Sequence, residues 1–212
     1  MRFSGKKGVL FDLDGTLIDS TAAVTRSWSQ VLTEAGIPLD VLPTLHGVPS
    51  RQSLRRLLPD CTESEIDNWA KKIDALEVED TEGIILLPGA RELFAYLDRN
   101  HIEWMIVTSC TRALGTARAN AVGITLPAKS VFFDDVSRGK PFPEPYLLGL
   151  SRLEMPATDV IVIEDAPSGI QSGKAAGIDV IAMVTTHIKD SLQEADHIAD
   201  SLFEIPQLLK VD

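Results

Sequence analysis

From residue 88 onward the chain alternates short apolar runs with stretches whose apolar residues recur at helical spacing. That alternation admits few folds. Strands that are apolar throughout, each followed by a helix, belong in a parallel sheet covered on both faces. Helices are expected around Leu93, Phe94 and Leu97, and over 113–121, 145–153 and 168–176. Strands are expected over 104–107, 131–133, 160–163 and 180–183, with a last short one at 197–199. The run 9–11 reads as another strand of the same sheet.

Between this first strand and residue 87 the pattern is helical. Ser20 stands where an N-cap would, Val24, Trp28, Val31, Leu32 and Ala35 follow on one face, and Gly36 ends the helix. A short helix is expected over 53–58, stopped by Pro59. Thr62 and Glu65 form a capping box ahead of Ile66, Trp69, Ile73 and Leu76. The predicted class is α/β: a Rossmann-like parallel sheet core, residues 1–18 plus 87–212, with an inserted small all-α cap, residues 19–86.

Composition narrows the partners. A formal net charge of −11 over 212 residues repels polyanions, so neither nucleic acid nor an anionic membrane is expected to bind. A small phosphorylated metabolite is compatible, because a metal and a lysine invert the local field. Cys61 and Cys110 suggest no disulfide framework, and a cytoplasmic setting is expected. The apolar run before Asp12 is too short for a signal peptide's core, and no segment could span a bilayer. A monomer or weak homodimer is expected.

Ligands of such sheets bind beyond the carboxyl ends of the strands. There the first strand carries Asp12 and Asp14, the strand near Trp104 carries Thr108 and Ser109, and the strand near Val160 carries Glu164 and Asp165. Lys140 follows the run at Val131. Carboxylates at a buried strand end need compensation, which a divalent cation supplies. The set suits phosphoryl transfer to an enzyme carboxylate. Asp12 would attack phosphorus. Mg²⁺ would take side-chain oxygens of Asp12 and Asp165 and the backbone carbonyl of Asp14. Thr108 and Ser109 would bind phosphate oxygens, and Lys140 would balance charge. Asp14 would serve as acid and then base and, crowded by a phosphate and other carboxylates, is expected to hold a proton more readily than a free aspartate.

These residues carry a resemblance. Phe11-Asp12-Leu13-Asp14-Gly15-Thr16, Val107-Thr108-Ser109, Gly139-Lys140-Pro141 and Ile163-Glu164-Asp165-Ala166-Pro167-Ser168-Gly169 resemble, in order, the four motifs of the haloacid dehalogenase-like phosphatases. The resemblance implies Asp12 as nucleophile, Asp14 as acid and base, Thr108 and Lys140 on phosphate, and Asp165 on Mg²⁺ with Glu164 beside it. Thr81-Glu82-Gly83-Ile84, Pro88-Gly89-Ala90 and Tyr146-Leu147-Leu148-Gly149 look most like bacterial sugar and hexitol phosphatases and the related glycerol-phosphate phosphatases. The implied activity is hydrolysis of a small sugar or polyol phosphate through an aspartyl-phosphate. Cys110 departs from the glycine usual in these relatives. Val24 stands where related β-phosphoglucomutases carry a histidine, which weighs against a sugar phosphomutase. Asp14 weighs against carbon–halogen chemistry.

Other readings fit less well. Gly15 is misplaced for an EF-hand loop, and 169–175 lacks both the glycine spacing and the hydroxyl of a P-loop. Cys110 has no arginine at the spacing of cysteine phosphatases. A phospho-signalling module would place its acceptor on a middle strand and have no insert after the first. His46 and Arg51, between the predicted cap helices, are candidates for a substrate-facing loop.

Overall fold

A computed structural model of the chain describes residues 3–45 and 48–210. Its main sheet comprises β1 (Gly8–Phe11), β4 (Glu103–Ile106), β5 (Val160–Glu164), β6 (Asp179–Met183) and β7 (His197–Ala199), in the order β4-β1-β5-β6-β7. Every pairing is parallel. Val9, Phe11, Ile161 and Ile163 face one apolar layer, while Leu10, Val160 and Val162 face the other. This alternation explains why the strands are buried on both faces. The first layer is closed by Leu93 and Leu97 of α4 (Ala90–Arg99), Ala119 of α5 (Arg112–Ala121) and Ile205 of α8 (Ile205–Leu208). The second is closed by Tyr146 and Leu153 of α6 (Glu144–Leu153) and Ile170 of α7 (Pro167–Ala175).

The strand expected over 131–133 does not form. Val131 makes a single parallel bridge to Val107, and Phe133–Asp135 is a 3₁₀ turn. Asp135 accepts from the backbone N–H of Phe132 and Asp134 from that of Arg112. The local Asp135 bond and the longer-range Asp134 bond to the start of α5 compete with the ladder and draw the chain off the sheet.

Helices α1 (Thr21–Glu34), α2 (Ser50–Leu57) and α3 (Glu63–Glu79) bury their own apolar cluster around Trp28, Leu32, Leu45, Leu54, Ile66 and Ile73. The second helix starts earlier than expected because Pro49 supplies its N-cap position. Ser20 occupies the N-cap position of α1 but makes no cap bond with its side chain. Its hydroxyl is used elsewhere. The stretch 19–86 is also not purely helical: β2 (Ile18–Asp19) pairs antiparallel with β3 (Ile85–Leu86) where the chain leaves and rejoins the sheet. Two-residue strands carry too little pattern to be read from sequence.

The capping box is present, with Glu65 accepting from the N–H of Thr62 at 2.7 Å and donating its own N–H to the threonine hydroxyl. Thr62→Ala is expected to lower stability by about 1 kcal/mol, measured by urea unfolding. An unchanged midpoint would show that α3 is held by packing alone.

Candidate active site

Register places the site. Phe11 lies level with Ile106 on one side and Ile163 on the other, so the residues that follow share one rim. Asp12 leaves β1 with its N–H bonded to the carbonyl of Ile163 at 2.9 Å. Thr108 follows β4, buried, with its N–H on the carbonyl of Val131 and its hydroxyl accepting from the N–H of Cys110 at 3.1 Å. Gly15 turns the chain at a φ of +79°. Any side chain there would overlap the Asp165 carboxylate.

Lys140 is buried and donates to Asp12 Oδ1 and to Glu164 Oε1, each at 2.6 Å. Glu164 is fully occupied. Its Oε1 also accepts from the Tyr146 hydroxyl at 3.0 Å, and its Oε2 accepts the backbone N–H groups of Asp165 and Ala166. Gly169 makes this possible, because a Cβ there would fall 1.7 Å from Glu164 Oε1. Asp165 accepts from the hydroxyls of Thr16 and Thr186.

Burial pushes Asp12 up to about 7, against the pull of Lys140. Burial, with Glu164 and Asp12 nearby, likewise holds Asp165 well above the ordinary carboxylate range. Burial alone would lower Lys140, but Asp12 and Glu164 reverse this and keep it charged. The imbalance tests whether a cation fits. Oxygens of Asp12, Glu164 and Asp165 lie within 4.8 Å of one another, and among the described residues only Lys140 is hydrogen-bonded to this group as a cation. Were all three acids ionised, one ammonium would leave two negative charges in a buried site, and the raised values of Asp12 and Asp165 reflect that cost. A hard divalent ion with oxygen ligands matches both the charge and the donors.

Asp14 sits differently from the expectation. Its Oδ1 accepts from Arg118 Nη1 at 2.8 Å and from the Ser20 hydroxyl at 2.6 Å, and its Oδ2 accepts from Cys110 Sγ at 3.0 Å. Burial favours the protonated form, but Arg118 and the hydroxyl and thiol bonds outweigh it and hold the carboxyl below its ordinary value. The expected proton retention concerns an Asp14 crowded by a phosphate and other carboxylates; Arg118 and the hydroxyl and thiol bonds act on it in the opposite direction. Burial and Asp14 push the Cys110 thiol up, which makes it a poor nucleophile.

A cavity of about 810 Å³ connects this rim to the helical insert. Asp12, Asp14, Thr108, Ser109, Lys140, Glu164 and Asp165 line one side, and Val24, Trp28, Arg51, Lys71, Asp74 and Glu77 the other. Residues 9–183 match the pattern of the haloacid dehalogenase-like hydrolase family. The chain belongs to this family. It is 40% identical to Hexitol phosphatase A of Escherichia coli K12 over 200 residues, 94% of this chain and 93% of that one. Among solved structures it superposes on a hydrolase from Pseudomonas syringae with a TM-score of 0.85 and 25% identity, over 96% of this chain and 98% of that one. A β-phosphoglucomutase from Clostridium difficile shares the fold, with a TM-score of 0.78 and 23% identity over 94% and 93% of the two chains.

Several residues of this hydrolase's site were not read from sequence. Arg118 lies four residues after Leu114 and four before Val122, on the apolar stripe of α5. A charge on such a stripe was the signal that could have found it. Tyr146 and Thr186 carry no such mark. Arg51 reaches the cavity but is ion-paired with Glu63 at 3.0 Å and with Asp67. His46 lies outside the described residues.

Two outcomes follow from the packing and charge. Gly169→Ala is expected to displace Glu164 and lower stability by about 1–3 kcal/mol, read from urea unfolding. A neutral result would mean Glu164 can move freely. In chelator, ionising Asp12 opposes folding as pH rises from its unfolded value, 3.8, to about 7. Wild type should therefore lose stability relative to Asp12→Asn across that window, and parallel curves would show that burial does not raise Asp12.

Proposed function

We propose that this hydrolase is an Mg²⁺-dependent phosphomonoesterase acting on a small sugar or polyol phosphate through an aspartyl-phosphate. The observation that carries the reading is the buried Asp12, bonded to Lys140 and grouped with Asp165 at the mouth of a cavity. The likeness to Hexitol phosphatase A supports the substrate class. Asp12, Asp165 and the carbonyl of Asp14 would hold Mg²⁺. When bound, the ion screens the anionic phosphate from the anionic nucleophile.

Asp12 attacks phosphorus in line with the bond to the leaving alcohol. Thr108, Ser109 and Lys140 hold the non-bridging oxygens, and Lys140 neutralises charge that builds on them. Glu164 does not reach the phosphate in this reading. It anchors Lys140, with Tyr146 and the amides of residues 165 and 166 fixing it in turn. Asp14 gains its proton when the phosphate brings negative charge into the cavity, and gives that proton to the leaving oxygen. It then takes a proton from the water that attacks the aspartyl-phosphate. Enzyme carboxylate and inorganic phosphate are regenerated.

Residues 19–86 act as a cap over the 1–18 plus 87–212 core, excluding bulk water and selecting the alcohol. Val24 lines the cavity beside Trp28 and offers no proton-binding group at the position where the related mutases carry a histidine. This favours transfer to water over transfer to a second sugar hydroxyl. The thiols of Cys61 and Cys110 are unbridged, and among the described residues no helix is long and apolar enough to cross a membrane. Both facts suit a cytoplasmic enzyme on a diffusible substrate, working as a monomer or weak homodimer.

With Mg²⁺ and a panel of hexitol, hexose and glycerol monophosphates, phosphate release is expected, and chelation should stop it. Asp12→Asn should reduce turnover by at least about a thousandfold. Turnover that survives that change would reject the covalent route. Mg²⁺ should also raise the melting temperature of wild type but not of Asp165→Asn. An equal rise in both would place the ion elsewhere.

A further inference from the structure

The cavity runs from the rim to α3 of the insert, so α3 faces whatever alcohol a rim-bound phosphate carries. Asp67, Lys71, Asp74 and Glu77 recur on that helix at three- and four-residue spacing, and all four line the cavity. The two outer acids are already taken. Asp67 is ion-paired with Arg51, and Glu77 accepts from Arg118 Nη2 at 2.7 Å. Asp74 lies between them, half-buried, with no hydrogen bond or ion pair to any of the described residues. Lys71 stands one turn earlier, exposed, and the two make no ion pair with each other. None of the four motifs contains Asp74.

A carboxylate that has lost part of its water and gained no partner is held at a cost. Burial raises Asp74 above its ordinary value against the pull of Arg118, and the charge of Asp134 adds to the rise. A hydroxyl group offsets that cost, because it donates to the carboxylate in a charge-assisted bond. An alcohol also accepts, and Lys71 is a donor with no acceptor of its own. A chain of hydroxyls therefore satisfies both side chains. A carboxylate or second phosphate on the substrate would suit Lys71 but meet the like charge of Asp74, and it has no proton to offer.

We propose that Asp74 selects a neutral, hydroxyl-bearing alcohol over an acidic one, by accepting hydrogen bonds from hydroxyls of the leaving group. The proposal rests on the phosphatase reading and adds the residue that sets its substrate class.

The test compares kcat/KM on three esters, with Mg²⁺ and the intact chain. Sorbitol 6-phosphate and 6-phosphogluconate differ only at the far carbon, a CH₂OH in one and a carboxylate in the other. p-Nitrophenyl phosphate carries no hydroxyl. Wild type should prefer sorbitol 6-phosphate to 6-phosphogluconate. Asp74→Asn should lower kcat/KM for sorbitol 6-phosphate about tenfold to a hundredfold, lower it far less for p-nitrophenyl phosphate, and shift the preference toward 6-phosphogluconate by at least the same factor. Asp74→Ala should show the same selectivity with a larger loss, and it carries the comparison should Asp74→Asn fail to fold by circular dichroism. Equal losses on all three esters, an unchanged ratio between the two six-carbon esters, or a wild type that prefers 6-phosphogluconate would overturn the proposal. Of these, the unchanged ratio leaves the phosphatase reading standing and removes only the role of Asp74. Release from p-nitrophenyl phosphate but not from sorbitol 6-phosphate would reject the polyol class and the proposal with it. No release by wild type from any of the three would reject the phosphatase reading first.

Discussion

The site depends on one lysine placed between acids that could not otherwise be buried together. Lys140 bridges Asp12 and Glu164 at 2.6 Å on each side, at the rim of a sheet whose strands are apolar on both faces. Each neighbouring choice supports that bridge. Tyr146 and two backbone amides satisfy the remaining lone pairs of Glu164, Gly169 leaves room for it, and Gly15 leaves room for Asp165. A partly satisfied network of this kind would be worse than an apolar one, so the glycines and the tyrosine are as necessary as the charged groups. The acids of the rim outnumber its one ammonium, and a divalent cation would offset the excess charge of their ionised forms.

Much of this was legible in the sequence, for identifiable reasons. The strands 9–11, 160–163 and 180–183 were readable because burial on both faces leaves near-continuous Val, Ile and Leu. The rim acids stood out because they interrupt those runs. What could not be read falls into two kinds. At 131–133 a β-rich composition was overruled by Asp135, which bonds the local backbone, and Asp134, which bonds the N–H of Arg112. At Asp14 the charge state was set by Arg118, a residue of another helix that spacing alone does not bring near. Crowding by a phosphate favours a carboxyl that keeps its proton, and a buried guanidinium pulls the other way.

The two sides of the cavity are held by different physics. The core side is fixed by strand ends, buried hydrogen bonds and a shared lysine, which leaves little freedom. The insert side presents Arg51, Arg55, Glu63 and Asp67 in exposed ion pairs, which are weak in water and easily rearranged. One side of the cavity is thus rigid and the other adaptable.

The short β2–β3 pair has a consequence for how such chains diversify. It clasps the outgoing and returning strands side by side, so the whole helical segment hangs from a single stem. Cutting at that stem and splicing in a different segment would leave the order of the parallel strands untouched, with Asp14 losing its bond from Ser20. The fold therefore permits wholesale replacement of its helical segment without rethreading the parallel sheet.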